Sequence, residues 1–124
     1  ARYTLKGKIR QGSYACIHVC KDRISKCKRA MKIVDLRRSN QASVREHVAV
    51  WSRAGKHRNV LGLLSEFAGD QEHFFVMEFC SAVVETLADH KFQELHVVVA
   101  LFHVISGLRY CHRNRIVHRD LKIE

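Results

Sequence analysis

The sequence predicts an α+β fold: five short strands with one helix set between the third and the fourth, followed by a helical second part. Three observations carry that reading. Short apolar runs bounded by turn residues dominate the chain as far as residue 78. One stretch among them, 43–53, repeats its apolar residues at helical rather than alternating spacing. After residue 82 the strand pattern stops and helical periodicity takes over.

The elements follow in order. Tyr3–Ile9 and Ala15–Val19 flank a glycine-containing turn, and Arg29–Val34 is a third apolar run. Ser43–Arg53 reads as a helix because Val44, Val48 and Trp51 recur at i, i+4 and i+7. Ser43 is its expected N-cap, with Glu46 three residues on in the capping-box pattern. Leu61–Phe67 and His73–Glu78 read as the last two strands, joined by the turn Ala68-Gly69-Asp70-Gln71. Val83–His90 reads as a short helix and Glu94–His112 as a long one. From Leu95 to Leu108 the long helix is apolar on nearly every side, and such a helix is normally buried all round. Little sequence remains to cover it, so a partner chain or further structure is expected over 94–112. The chain divides into 1–79 and 80–124.

Composition narrows the classes. A chain of 124 residues, 47% hydrophobic, suits one small domain that buries roughly two thirds of its unfolded surface. There is no unbroken apolar run of about 18 residues, so no membrane span is expected. Cys16, Cys20, Cys27, Cys80 and Cys111 fit neither a disulfide framework nor a paired zinc site, and point to reduced thiols in a cytoplasmic or nuclear setting. The net charge of +10 is uneven: residues 1–58 hold 16 Lys/Arg against 3 Asp/Glu, whereas residues 59–124 hold 6 against 9. The basic half can attract phosphates, acidic lipids or nucleic acid. It lacks a compact arginine-rich arm or an aromatic platform, so nucleic acid is disfavoured. Nine histidines include no H-x-x-x-H or H-E-x-x-H pair, and no metal site is read from them.

Four motifs carry chemistry. Ile9-Arg10-Gln11-Gly12-Ser13-Tyr14-Ala15-Cys16-Ile17 lines up with the glycine-rich loop G-x-G-x-x-G-x-V that covers nucleotide phosphates; Gly12 holds the central glycine position, while Arg10 and Ala15 replace the outer two. Ala30-Met31-Lys32-Ile33 matches V-A-I-K, and Glu46 is the candidate carboxylate partner of Lys32. Arg45 and His47 beside it are expected to face solvent. His118-Arg119-Asp120-Leu121-Lys122 matches H-R-D-x-K. On these motifs the chain resembles the eukaryotic-type Ser/Thr protein kinases, most closely the calcium/calmodulin- or AMP-activated-type branch given Asp120-Leu121-Lys122-Ile123-Glu124.

The resemblance implies an ATP-binding lobe with a five-stranded antiparallel sheet and one helix, then the hinge and the first helices of an incomplete second lobe. It implies ATP and Mg2+ as cofactors and a protein Ser/Thr hydroxyl as acceptor. Ile9, Gly12, Ile17, Ala30 and Lys32 would surround the nucleotide. Phe75-Val76-Met77-Glu78-Phe79-Cys80-Ser81 resembles the hinge, with Met77 as gatekeeper and Glu78 and Cys80 offering main-chain bonds to adenine. Glu85 falls near the position of a ribose-side acid. Asp120 would orient the acceptor hydroxyl and Lys122 would steady the γ-phosphate. His57-Arg58-Asn59-Val60 resembles the family's H-P-N-I turn. The family's metal-binding Asn and D-F-G Asp would follow Glu124, so no metal ligand is assigned and the 124 residues alone are expected to be inactive. Two rivals remain open on the residues: a catalytically incompetent kinase-like regulatory module, and a basic domain that binds nucleic acid or lipid.

Overall fold

A computed structural model of the chain describes residues 1–81 and 94–122. Five strands form, β1 (Tyr3–Gln11), β2 (Ala15–Asp22), β3 (Lys28–Asp35), β4 (Leu63–Ala68) and β5 (Glu72–Glu78), with helix α1 (Gln41–Ala54) between β3 and β4. They make one antiparallel sheet in the order β1-β2-β3-β5-β4. Helix α2 (Glu94–Arg113) follows. Strands β2 and β3 outrun their apolar cores because backbone pairing continues through the polar pair Lys21 and Lys28. The expected helix at Val83–His90, with Glu85, lies outside the described residues, as do Ile123 and Glu124.

Residues paired across neighbouring strands share a sheet face, and each face has its own core. One face gathers Cys20, Met31 and Val76, all nearly inaccessible, under Tyr3, Cys16 and Phe74. The sheet curls tightly enough for its two edge strands to meet there. Tyr3 Oη on β1 and Ser65 Oγ on β4 are 2.8 Å apart, and the Tyr3 and Phe67 rings stack at 6.2 Å. The other face packs Val34 and Phe75 against Val44 of α1, with Val48, Trp51 and Leu63 at the margin.

The N-terminus of the chain is clasped to the β2–β3 turn. Arg2 Nη2 donates to the buried Asp22 carboxylate at 2.9 Å, and the Ile24 N–H donates to its other oxygen at 3.0 Å. The Arg2 bond holds the Asp22 carboxyl far below the usual range.

Helix α1 starts earlier than the sequence pattern suggests, and Ser43 is not its cap. Asn40 takes that role: its backbone is extended and its Oδ1 accepts from the Ala42 N–H at 2.8 Å. Ser43 is thereby inside the first turn, and the capping box with Glu46 does not form. Gly55 ends the helix at φ 63, the left-handed region that favours glycine.

The contacts divide the chain into two units, residues 1–55 with 62–79 and residues 56–61 with 80–124. In the second unit, segment 56–61 lies against α2 at Gly107, where a Cβ would stand 2.6 Å from the Asn59 carbonyl oxygen. His103 Nδ1 and Asn59 Oδ1 are 3.1 Å apart, and the His57 and Tyr110 rings stack at 4.5 Å. Helix α2 closes in a Schellman arrangement: Arg115 N–H donates to His112 O and Ile116 N–H to Cys111 O, both at 2.9 Å, with Arg115 at φ 58. Among the described residues of α2 only Gly107 and Cys111 are buried, and Leu95 and Phe102 are each 68% exposed. By length and composition alone α2 is long and apolar enough to cross a membrane. His96, His103 and Arg109 interrupt it, which is why the sequence shows no unbroken apolar run.

Candidate active site

The first unit brings four of the eight expected nucleotide-binding residues, Ile17, Ala30, Lys32 and Met77, onto one sheet face. Val19, Ala30 and Met77 stand abreast across β2, β3 and β5, and Ile17, Lys32 and Phe75 form the next row. Ala30 and Met77 are buried, so this end of the face is a smooth apolar floor. Arg10 pairs with Ile17 at the sheet edge, and the exposed Ile9 sits at a register shift of β1. The intervening turn is tight. The Gly12 N–H donates to the Ala15 carbonyl at 2.8 Å, and a Cβ on Gly12 would come within 3.1 Å of that oxygen. The turn is also tied to the chain after β3, through the Asp35 N–H to Tyr14 O at 3.0 Å and Arg38 Nη1 to Ser13 O at 3.4 Å.

Lys32 is half-buried, and that burial pulls its ammonium below the ordinary lysine value. The expected ion pair with Glu46 is not formed: Glu46 is exposed, and no carboxylate among the described residues lies within ion-pair distance of Lys32. Helical phase explains this. At about 100° per residue, Glu46 is turned about 160° from both Val44 and Val48, so seating those two valines sends the carboxylate outward. His47 lies only about 60° from Val44 by the same measure. His47 is exposed, as expected, but it is turned toward the Val44 side of the helix. The residue keeps an exposed edge, but its ring packs edge-on against Trp51 at 5.5 Å and Phe75 at 5.8 Å. Burial and the nearby Lys32 charge both lower its pKa.

Lys32, Arg38, Asn40, Ser43 and His47 line an open cavity of about 280 Å³ between β3 and α1, with Tyr14 at its rim. No carboxylate lines it. The sequence motifs gave no sign of this cavity, because His47 and Asn40 belong to no motif, Ser43 was read only as a cap, and the three meet Lys32 only when α1 docks.

At the hinge-like end Glu78 is exposed opposite Arg29. Lys28 Nζ stands 3.7 Å from the centre of the Phe79 ring, a cation–π contact that sequence reasoning missed.

In the second unit Cys80 is exposed. Lys122 Nζ lies 3.8 Å from Asp120 Oδ2, and both side chains are open to solvent. The Asp120 N–H donates to His118 Nδ1 at 3.3 Å, so the histidine shapes the backbone at the aspartate. Arg119 between them sits at φ 64, a strained setting for a non-glycine residue of the kind that gathers at functional sites. No group of three or more His, Cys, Asp or Glu among the described residues is placed to hold a metal ion, so these residues do not by themselves fit magnesium.

The family model for the protein kinase domain matches residues 3–124. The chain is 34% identical over 121 residues to a Wee1-like protein kinase of Drosophila melanogaster, covering 91% of this chain and 19% of that protein. It is 31% identical over 133 residues to serine/threonine-protein kinase stk11 of Xenopus laevis, covering 98% of this chain and 30% of the relative. It is also 26% identical over 118 residues to calcium-dependent protein kinase 3 of Plasmodium yoelii yoelii, covering 92% and 22%. The chain thus spans less than a third of the length of these curated relatives. The motifs around Gly12, Lys32 and Asp120 follow the family's order on a five-stranded antiparallel sheet and its helices, and the chain belongs to the protein kinase domain family, of the eukaryotic Ser/Thr type.

Proposed function

We propose that this chain binds ATP and serves the transfer of its γ-phosphate to a Ser or Thr hydroxyl of a protein. One observation carries the reading: Lys32 is a half-buried cation with no carboxylate neighbour among the described residues, at the end of the apolar floor of Ile17, Ala30 and Met77. Burying an unpaired charge is costly, and a polyanion that arrives to neutralise it offsets that cost. The floor suits the adenine. Glu78 and Cys80 would offer main-chain bonds to its edge, and the Gly12 turn would cover the phosphates. Asp120 would orient the acceptor hydroxyl, and Lys122 would exchange its loose contact with Asp120 for the γ-phosphate. Magnesium accompanies ATP in this chemistry. No step is assigned to it through this chain, because the described carboxylates form no metal site.

Calorimetric titration with ATP tests the reading. Lys32→Met should weaken binding at least about tenfold, the scale of one charge-assisted contact. An unchanged affinity would refute the pocket.

A kinase-like regulatory module without transferase activity is the second reading. Its support is the unformed Lys32–Glu46 pair together with Arg10 in place of the first loop glycine. Peptide phosphorylation that Asp120→Asn abolishes would support the enzyme over the module.

A further inference from the structure

In the cavity beside Lys32 the cations Lys32 and Arg38 and the polar Asn40, Ser43 and His47 stand beside apolar Val34, Val44 and Phe75, with no acid in the lining, and His47 can change charge near neutral pH. We propose that His47 is a second anion-binding residue of this site, which takes up a proton when a polyphosphate binds at Lys32. The inference rests on the nucleotide reading above and adds a residue to it from outside its motifs.

The argument starts from placement. Seating Val44 and Val48 brings His47 to the Lys32 side of α1, on the wall that also holds Arg38, Asn40 and Ser43. The charged and titratable groups around it can be named element by element. Lys32 faces it from β3, and Arg38 from the connection that follows. On this face of β4 and β5 the titratable groups are Glu66 and His73, which are bonded to each other. From its own helix Trp51 packs on its ring, and Glu46 points away.

Arg38 shares Asp35 with Arg37: Arg37 Nη2 lies 2.9 Å and Arg38 Nε 3.8 Å from the same carboxylate oxygen. That carboxylate is therefore already engaged and does not line the cavity.

In this setting burial first, and then the Lys32 charge, oppose protonation of His47 and lower its pKa. An incoming polyphosphate reverses the local field. It supplies acceptor oxygens, favours the imidazolium, and gains a charge-assisted hydrogen bond from it. Binding and protonation are then linked: anion affinity must rise as the pH falls through the interval between the free and bound pKa values of His47. No covalent step is involved, and the proton comes from solvent.

The test measures the affinity of the whole chain for inorganic tripolyphosphate, and separately for ATP, from pH 8 to pH 6. The wild type is compared with His47→Gln. The ligand's own titration is common to both proteins, so the difference in slope belongs to His47. The wild type should tighten about three- to tenfold more than the variant over this range, as expected for linkage to one histidine. Equal slopes with binding intact overturn the inference and leave the nucleotide reading standing. Absence of binding by the wild type at every pH overturns both.

A second measurement needs no variant. Trp51 is the chain's single tryptophan and its ring lies 5.5 Å from that of His47, so protonation of His47 should quench its fluorescence. The midpoint of that quench should move to higher pH when tripolyphosphate is added, and a midpoint that stays in place overturns the inference.

Discussion

Tyr3 and Ser65 stand on the two opposite edge strands of the sheet, and a 2.8 Å hydrogen bond joins them. A flat five-stranded sheet would hold its edges about 19 Å apart, since neighbouring strands are spaced about 4.8 Å. The bond therefore reports how far the sheet coils, and the coil is what covers Cys20, Met31 and Val76. Tyr3→Phe should lower unfolding stability by about 1 kcal/mol through the lost hydrogen bond. Tyr3→Ala, which also removes the ring over Phe67, should cost about 3 kcal/mol. Urea unfolding checks both, and equal effects of the two substitutions would show that the ring does not pack as described.

The start of α1 can be tested by a pair of alanines. Asn40→Ala should destabilise by about 1 kcal/mol, since Asn40 caps the helix. Ser43→Ala should stay within about 0.5 kcal/mol of the wild type, the range for sites without special features. The reverse ranking in thermal unfolding would restore Ser43 as the cap.

Gly107 allows the Asn59 carbonyl to approach α2 closely enough that a side chain has no room. Gly107→Ala would ordinarily favour the helix by up to about 1 kcal/mol. Here the clash should prevail, with a net loss of about 1–3 kcal/mol and altered His57 and Tyr110 resonances. A gain in stability would mean that segment 56–61 does not dock on the helix.

Acid should destabilise the protein in two stages. His47 has a folded pKa below its unfolded value of about 6.5, so the unfolded chain binds more protons and stability falls as the pH drops through about 6.5. Asp35 is held at about 2 by Arg37, so the stability it contributes is full above its unfolded value of about 3.9 and is lost toward pH 2. Asp22, held lower still by Arg2, acts in the same direction. Melting temperature against pH should show both stages, and His47→Gln should remove the first. A first stage that persists in the variant assigns it to another histidine.

Lys32 illustrates function set against stability. Lys32→Met removes a half-buried charge and keeps most of the packing, and should raise stability by up to about 1 kcal/mol after allowance for solvent screening. The same substitution should weaken nucleotide binding at least about tenfold. Destabilisation by Lys32→Met would reveal a counter-charge that the described residues do not supply.

The local patterns were legible because each depends on near neighbours. Short apolar runs bounded by turn residues marked all five strands, and the stripe of Val44, Val48 and Trp51 marked α1. The G-x-x-A turn, the Ala30–Ile33 strand and the Asp120 motif gave the family without any coordinates. The coil that joins Tyr3 to Ser65 was not legible, since it spans 62 residues of chain and arises from accumulated strand twist. Nor was the unformed ion pair at Lys32. The motif pointed to Glu46, while the valine stripe in the same helix had already turned that residue outward. Only docking on Phe75 and Val34 decided between them, because burying the stripe outweighs one exposed ion pair. The sequence by itself thus determined the strand order along the chain, the family and the candidate site residues. Tertiary packing alone decided which of them meet, because helix rotation and sheet curl answer to the summed burial of many side chains and to no single motif.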